Sequence, residues 1–120
     1  MTRINVGIPP NDLTTKHLIA EHREIVRIPN CVSKGRFNLK DQPEKFTLGK
    51  GHVKFFYTRL GYLKKRYEEI YANCLSRGYN VSYYGDAWNN LPKEFMNDYI
   101  PTQNDINIIK QRIQERLSGK

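Results

Sequence analysis

The chain has 120 residues, a formal net charge of +8 and an apolar content of 38%. That length suits one domain, because two cores would each be too small to bury much surface, and no run of eighteen apolar residues exists to cross a bilayer. Aromatic residues at 12% exclude the composition of a disordered chain, which lacks large side chains to offset ordering entropy, and a pI near 9.6 points to a polyanion, with nucleic acid ahead of simple solubility.

The opening residues, Met1 to Pro10, contain no apolar signal segment, so a cytoplasmic protein is expected. A first helix is expected from about Asp12 to Arg27, capped by Asn11 or Asp12. Leu13, His17, Ala20 and Glu24 recur on one side of it, Ile25 and Ile28 lie near its end, and Pro29-Asn30 should bend or stop it. A second helix is expected from His52 to about Arg77. Phe56, Leu60, Leu63, Tyr67, Ile70 and Cys74 recur there every three or four residues, the pattern of a buried stripe. Gly78 suits its C-terminal cap, and Gly61 is a place where it can break. The third runs from Thr102 to about Leu117, with Thr102 and Asp105 as a capping box and Ile106, Ile109, Ile113 and Leu117 as its apolar seam. Residues 30–51 and 79–101 show no sustained alternation, so few or no strands are expected. The fold class that follows is all-α, a compact single domain of three main helices with long loops, spanning residues 1–120.

Cys31 and Cys74 allow one disulfide, but reduced, buried thiols are the default, and neither they nor His17, His22 and His52 fall at zinc-ligand spacing, so no metal is expected. Leu48-Gly49-Lys50-Gly51-His52 can aim backbone N–H groups at a phosphate, but it lacks the spacing of a nucleotide-binding loop, and a flexible turn is the better reading. The second helix carries Lys54, Arg59, Lys64, Lys65, Arg66 and Arg77, the last helix Lys110, Arg112 and Arg116, and the first Arg23 and Arg27. Each alone reads as a solvated helix face. Together they read as a basic surface, and guanidinium forks match phosphate oxygens. Tyr83, Tyr84 and Trp88 either stack on bases or cover the core, with Trp88 expected in the core.

A small residue, Thr2, follows the initiating Met, which favours Met removal and a free Thr2 amine. An α-amino group is roughly 10% neutral at pH 7, against well under about 0.1% for an unperturbed lysine, and the neutral amine is the form that attacks an electrophilic carbon to give an imine. Arg3 beside it should lower its pKa further.

Met1-Thr2-Arg3-Ile4-Asn5, His17-Leu18, Ala20-Glu21, Arg23-Glu24, Arg27, Gly49, Gly51-His52-Val53, Phe55-Phe56-Tyr57, Cys74-Leu75, Arg77-Gly78, Pro92, Glu94-Phe95 and Asp98-Tyr99-Ile100-Pro101 occur in this order. Together they resemble the pyrimidine-dimer DNA glycosylase family over nearly the whole chain. The resemblance implies a compact, mostly helical, cofactor-free and metal-free monomer of a bacterial or phage-infected host cell, acting on double-stranded DNA with a damaged or abasic site. It implies a bifunctional glycosylase and abasic-site lyase in which the Thr2 amine attacks C1′ of the lesion sugar and β-elimination nicks the strand. By resemblance Glu24 is the essential carboxylate, and Arg3, His17, Arg23, Arg27, Lys34, Arg112 and Arg116 are DNA-binding residues. A core histidine is the competing reading of His17, and an i,i+3 partner of Arg27 that of Glu24. The duplex must bend and flip a base, by resemblance the one opposite the lesion.

Members often end in an aromatic, basic tail. This chain stops at Leu117-Ser118-Gly119-Lys120, which reads as a complete catalytic core without that tail. It also carries Val26 for a typical Pro, a different segment at 30–45, Tyr67 at a position that can be polar, and Ser82-Tyr83-Tyr84-Gly85-Asp86-Ala87-Trp88 in a redrawn loop. Two other readings stand beside the dimer glycosylase: a lyase or glycosylase for a different altered base, and a non-catalytic basic helical DNA-binding module.

Overall fold

The computed structural model describes residues 2–117, where five α-helices are joined by loops and 3-10 turns. Helix α1 is Thr15–Glu24, α2 Arg27–Ser33, α3 His52–Phe56, α4 Leu60–Ser76 and α5 Gln103–Leu117. No strand forms among the described residues; one isolated antiparallel bridge joins Arg59 to Met96. The expected all-α architecture holds. The expected loss of Met1 and the chain end at 118–120 lie outside the described residues.

Each helix boundary has a local cause. Thr14, rather than Asn11 or Asp12, caps α1: its hydroxyl accepts the His17 N–H at 3.3 Å. Asp12 instead belongs to a 3-10 turn, Pro10–Asp12. The first helix is shorter than expected, and Pro29 does not stop it. Pro29 lies in the first turn of α2, where a missing N–H leaves no helical bond unmade. The second expected helix is likewise two. The chain breaks between Phe56 and Leu60 because the 96–97 segment crosses there. A Cβ on Gly61 would lie 2.6 Å from the Met96 carbonyl oxygen, and the Asn97 carbonyl accepts the Tyr62 N–H at 3.1 Å. At the far end of α4, Gly78 takes a φ of +82°. Its N–H donates to Leu75 O and the next N–H, Tyr79, donates to Cys74 O, both at 3.0 Å. These paired bonds satisfy carbonyls the helix would otherwise leave open. The Thr102–Asp105 box forms as expected. Thr102 Oγ1 accepts the Asp105 N–H at 3.1 Å, and an Asp105 carboxylate oxygen accepts the Thr102 N–H at 3.0 Å.

The expected stripe of Phe56, Leu60, Leu63, Tyr67, Ile70 and Cys74 is wholly buried. Burying each large apolar side chain contributes about 1.5–3 kcal/mol, so α4 is the axis of the core. The N-terminal segment lies on that core with alternating sides: Ile4 and Val6 are buried in it, while Arg3 and Asn5 line a cleft. Trp88 is in the core, Tyr83 and Tyr84 are exposed, and Cys31 and Cys74 are free thiols. The seam of α5 fades along its length: Ile109 is buried, Ile106 and Ile113 partly so, and Leu117 is exposed. On α1 the buried line is Leu18, Glu21, His22 and Ile25. The row His17, Ala20 and Glu24 faces the cleft instead. Among the described residues no helix is long and apolar enough to cross a membrane.

Candidate active site

The cleft has a volume of about 720 Å³ and lies between the N-terminal segment, α1 and α5. A volume of that size is typical of ligand clefts, about 300–1,000 Å³. Arg3, Lys16, Arg23, Arg112 and Arg116 line it together with His17, Glu21 and Glu24. Five cations thus face one cavity, and one of the two carboxylates, Glu21, is already engaged in the protein interior.

The N-terminal segment is held at three successive residues by four partners. The Arg3 N–H donates to Glu24 Oε1 at 3.0 Å. The Ile4 N–H donates to His52 Nε2 at 2.9 Å. The Asn5 side-chain amide donates to Glu21 Oε1 at 2.7 Å, and its oxygen accepts from Arg112 at 2.9 Å. His52 must carry its proton on Nδ1, which donates to the Thr47 carbonyl at 3.0 Å, because Nε2 is the acceptor for Ile4. Burial lowers the His52 pKa, which favours that neutral form.

Beneath the cleft, Glu21 and Arg66 form a buried ion pair. Arg66 donates to Glu21 through Nε and, at 3.0 Å, through a second nitrogen, and its third nitrogen reaches the Ile8 carbonyl at 3.0 Å. This corrects the reading of the α4 cations as a basic surface. Arg66 is inside the protein, and Arg59 and Arg77 donate to backbone carbonyls of Phe55 and of Pro10, Asn11 and Leu13. Lys54 donates to the Lys40 carbonyl, Lys64 pairs with Glu68, and Lys65 pairs with Asp98. These side chains all have partners within the chain; in the cleft Arg112 donates to Asn5 and Arg23 lies beside Glu24, while Arg3, Lys16 and Arg116 face open space.

The structure brings most of the expected site residues together. Arg3, His17, Arg23, Glu24, Arg112 and Arg116 all line the cleft, and Thr2 precedes Arg3 in the half-buried start of the segment. Arg23 is largely exposed and lies 3.7 Å from Glu24. His17 is not a core histidine: it is half-buried, and its Nδ1 lies 2.9 Å from the Thr14 hydroxyl. Burial, then the nearby Arg112 and Lys16, lower its pKa. Arg112 is more enclosed; burial lowers its pKa too, while Glu21 and Glu24 oppose that shift. Arg27 and Lys34 do not line the cleft. They are exposed at opposite ends of α2. Sequence reasoning missed Lys16, Asn5 and the Glu21–Arg66 pair. The available signal was an arginine between Leu63, Tyr67 and Ile70, set into an otherwise apolar stripe.

A family model described as pyrimidine dimer DNA glycosylase matches residues 1–83. The match spans the N-terminal segment and α1 to α4, and so includes Arg3, Glu24 and the buried pair beneath them. The chain belongs to the pyrimidine dimer DNA glycosylase family, and its substrate is DNA.

Proposed function

We propose that the protein removes the base at a pyrimidine-dimer lesion and then nicks the strand as an abasic-site lyase, using the Thr2 amine as nucleophile. The carrying observation is the 3.0 Å hydrogen bond from the Arg3 N–H to Glu24 Oε1. It ties the residue next to the amine to a carboxylate at the wall of a cationic cleft.

In this reading the neutral amine forms a bond to C1′ as the bond from C1′ to the base breaks, and the departing base takes a proton from water. The proton shed by nitrogen passes through Glu24 to O4′ as the C1′–O4′ bond opens, leaving a protonated imine. The carboxylate then takes a proton from C2′, the C3′–O bond breaks, and the 3′ phosphate leaves. Water hydrolyses the imine and restores the amine. Glu24 thus moves protons at the sugar and stabilises the cationic imine. Arg3, Arg23, Arg112 and Arg116 supply guanidinium forks for phosphates on either side of it. Arg27, Lys34 and His17 extend that role, the two former outside the cleft.

Borohydride trapping tests the proposal. The protein is incubated with UV-irradiated duplex and with a duplex bearing one abasic site. A covalent adduct and a nick on both are expected. An adduct on abasic DNA alone would reduce the activity to a lyase. Salt-sensitive binding without adduct or nick on either would replace the enzyme mechanism with a DNA-binding role.

A further inference from the structure

Asn5 is buried, yet it touches both the interior ion pair and a cleft cation. Its surroundings dictate which way its amide points. A carboxylate only accepts and a guanidinium only donates, so the nitrogen must face Glu21 and the oxygen must face Arg112. A run of hydrogen bonds therefore leads from Arg66 through Glu21 and Asn5 to Arg112, with one orientation at each step. Arg66 is anchored again at the Ile8 carbonyl, so the run starts from a fixed point. Asn5 also belongs to the same segment as Arg3, which is tied to Glu24. The position of the Arg112 guanidinium is thereby set relative to the start of the chain, although 107 residues separate Asn5 from Arg112.

We propose that Asn5 is a positioning residue: its amide orients the Arg112 guanidinium toward the phosphate beside the reacting sugar, in register with Thr2 and Glu24. The inference rests on the function proposed above. Asn5 touches no reacting atom and acts through Arg112. Without it, the Arg112 charge remains in the cleft, but its fork is free to turn.

The test is a double-mutant cycle read by single-turnover borohydride trapping at saturating abasic duplex. Asn5→Ala and Arg112→Ala are each expected to slow trapping by about 10- to 100-fold, the scale of a misplaced catalytic contact. The double variant should be no slower than Arg112→Ala. Multiplying effects would overturn the link, as would wild-type trapping by Asn5→Ala. Arg112→Lys provides a second test on the more exposed α5, leaving Asn5 in place. It keeps the charge but not the planar fork. It should bind DNA with the wild-type salt slope while trapping about 10-fold more slowly. Trapping at the wild-type rate would overturn a role for orientation. No adduct with the wild-type protein would overturn the proposed chemistry, and with it this role. A wild-type adduct with independent Asn5 and Arg112 effects would overturn the inference alone.

Discussion

The cleft and the aromatic cluster around Tyr67 each combine a histidine with cationic and acidic side chains, and they differ in where their polar groups find partners. In the cluster, the Tyr67 hydroxyl lies 3.1 Å from His22 Nε2 and accepts the Tyr84 N–H at 2.6 Å. Tyr83 receives Lys64 at 2.9 Å and donates to Glu68. His22, Tyr67, Tyr71, Tyr83, Tyr84 and Trp88 stack or tilt on one another with centroids about 5–6 Å apart. Its charges are answered within the chain, and such a network holds a loop onto a helix. In the cleft, Arg3, Lys16, Arg23, Arg112 and Arg116 converge on space. The backbone there is tightly bound; of the five cationic ends, that of Arg112 is held by Asn5 and that of Arg23 lies beside Glu24, while those of Arg3, Lys16 and Arg116 are open. The position of unmatched charge, more than the count of Lys and Arg, separates the cleft proposed to face DNA from the structural cluster.

The strongest way to sharpen that contrast is to remove a proton carrier without removing its shape. Glu24→Gln keeps an oxygen for the Arg3 N–H but cannot ionise. We expect trapping and nicking to fall by about 10²- to 10⁴-fold, with DNA affinity retained. Near-wild-type turnover would remove Glu24 from the chemistry and leave it only a clasp for the N-terminal segment. The counterpart in the cluster is Tyr67→Phe, which deletes a hydroxyl and leaves the Tyr84 N–H unpaired. Its cost should appear in stability, about 1–3 kcal/mol by denaturant titration, with trapping rates within about threefold of wild type. A larger catalytic loss would mean the two regions are coupled.

The core was legible and the wiring of the site was not, for one physical reason. The stripe on α4 repeats every three or four residues, so its burial can be read from local spacing. The Thr102–Asp105 box is equally local. Glu21 and Arg66 are 45 residues apart, and Asn5 and Arg112 are 107 apart; no periodicity reports such pairs. The buried line of α1 was obscured because Glu21 and His22 occupy it, and polar residues inside a core look like surface until their partners are known. Pro29 misled in another way. Its effect depends on position within a helix, and the boundary between α1 and α2 was needed to know that position. Arg3, Glu24, Arg112 and Arg116 are legible through the family resemblance, and the cleft brings them together.

The smallest expected effect concerns pH, and it divides the two regions through their histidines. His52 accepts the Ile4 N–H through Nε2, so protonating it removes the acceptor that holds the segment one residue from Arg3. Burial places its folded pKa below the ordinary value near 6.5. The neutral form is favoured in the folded state, so the unfolded chain takes up the proton first. Stability is therefore complete above pH 6.5 and declines as pH falls from there through the lowered folded value. The slope for one histidine cannot exceed about 1.4 kcal/mol per pH unit. His22 and His17 shift in the same direction, again chiefly through burial. Denaturant midpoints measured from pH 7.5 to 5 should fall in the wild-type protein and fall less steeply in His52→Gln, whose amide oxygen can accept without titrating. An unchanged slope in His52→Gln would move the acid sensitivity to the other two histidines, His22 in the aromatic cluster and His17 on the cleft. A flattened slope would place it at the clasp beneath the cleft, where acid loosens the segment that carries the proposed nucleophile.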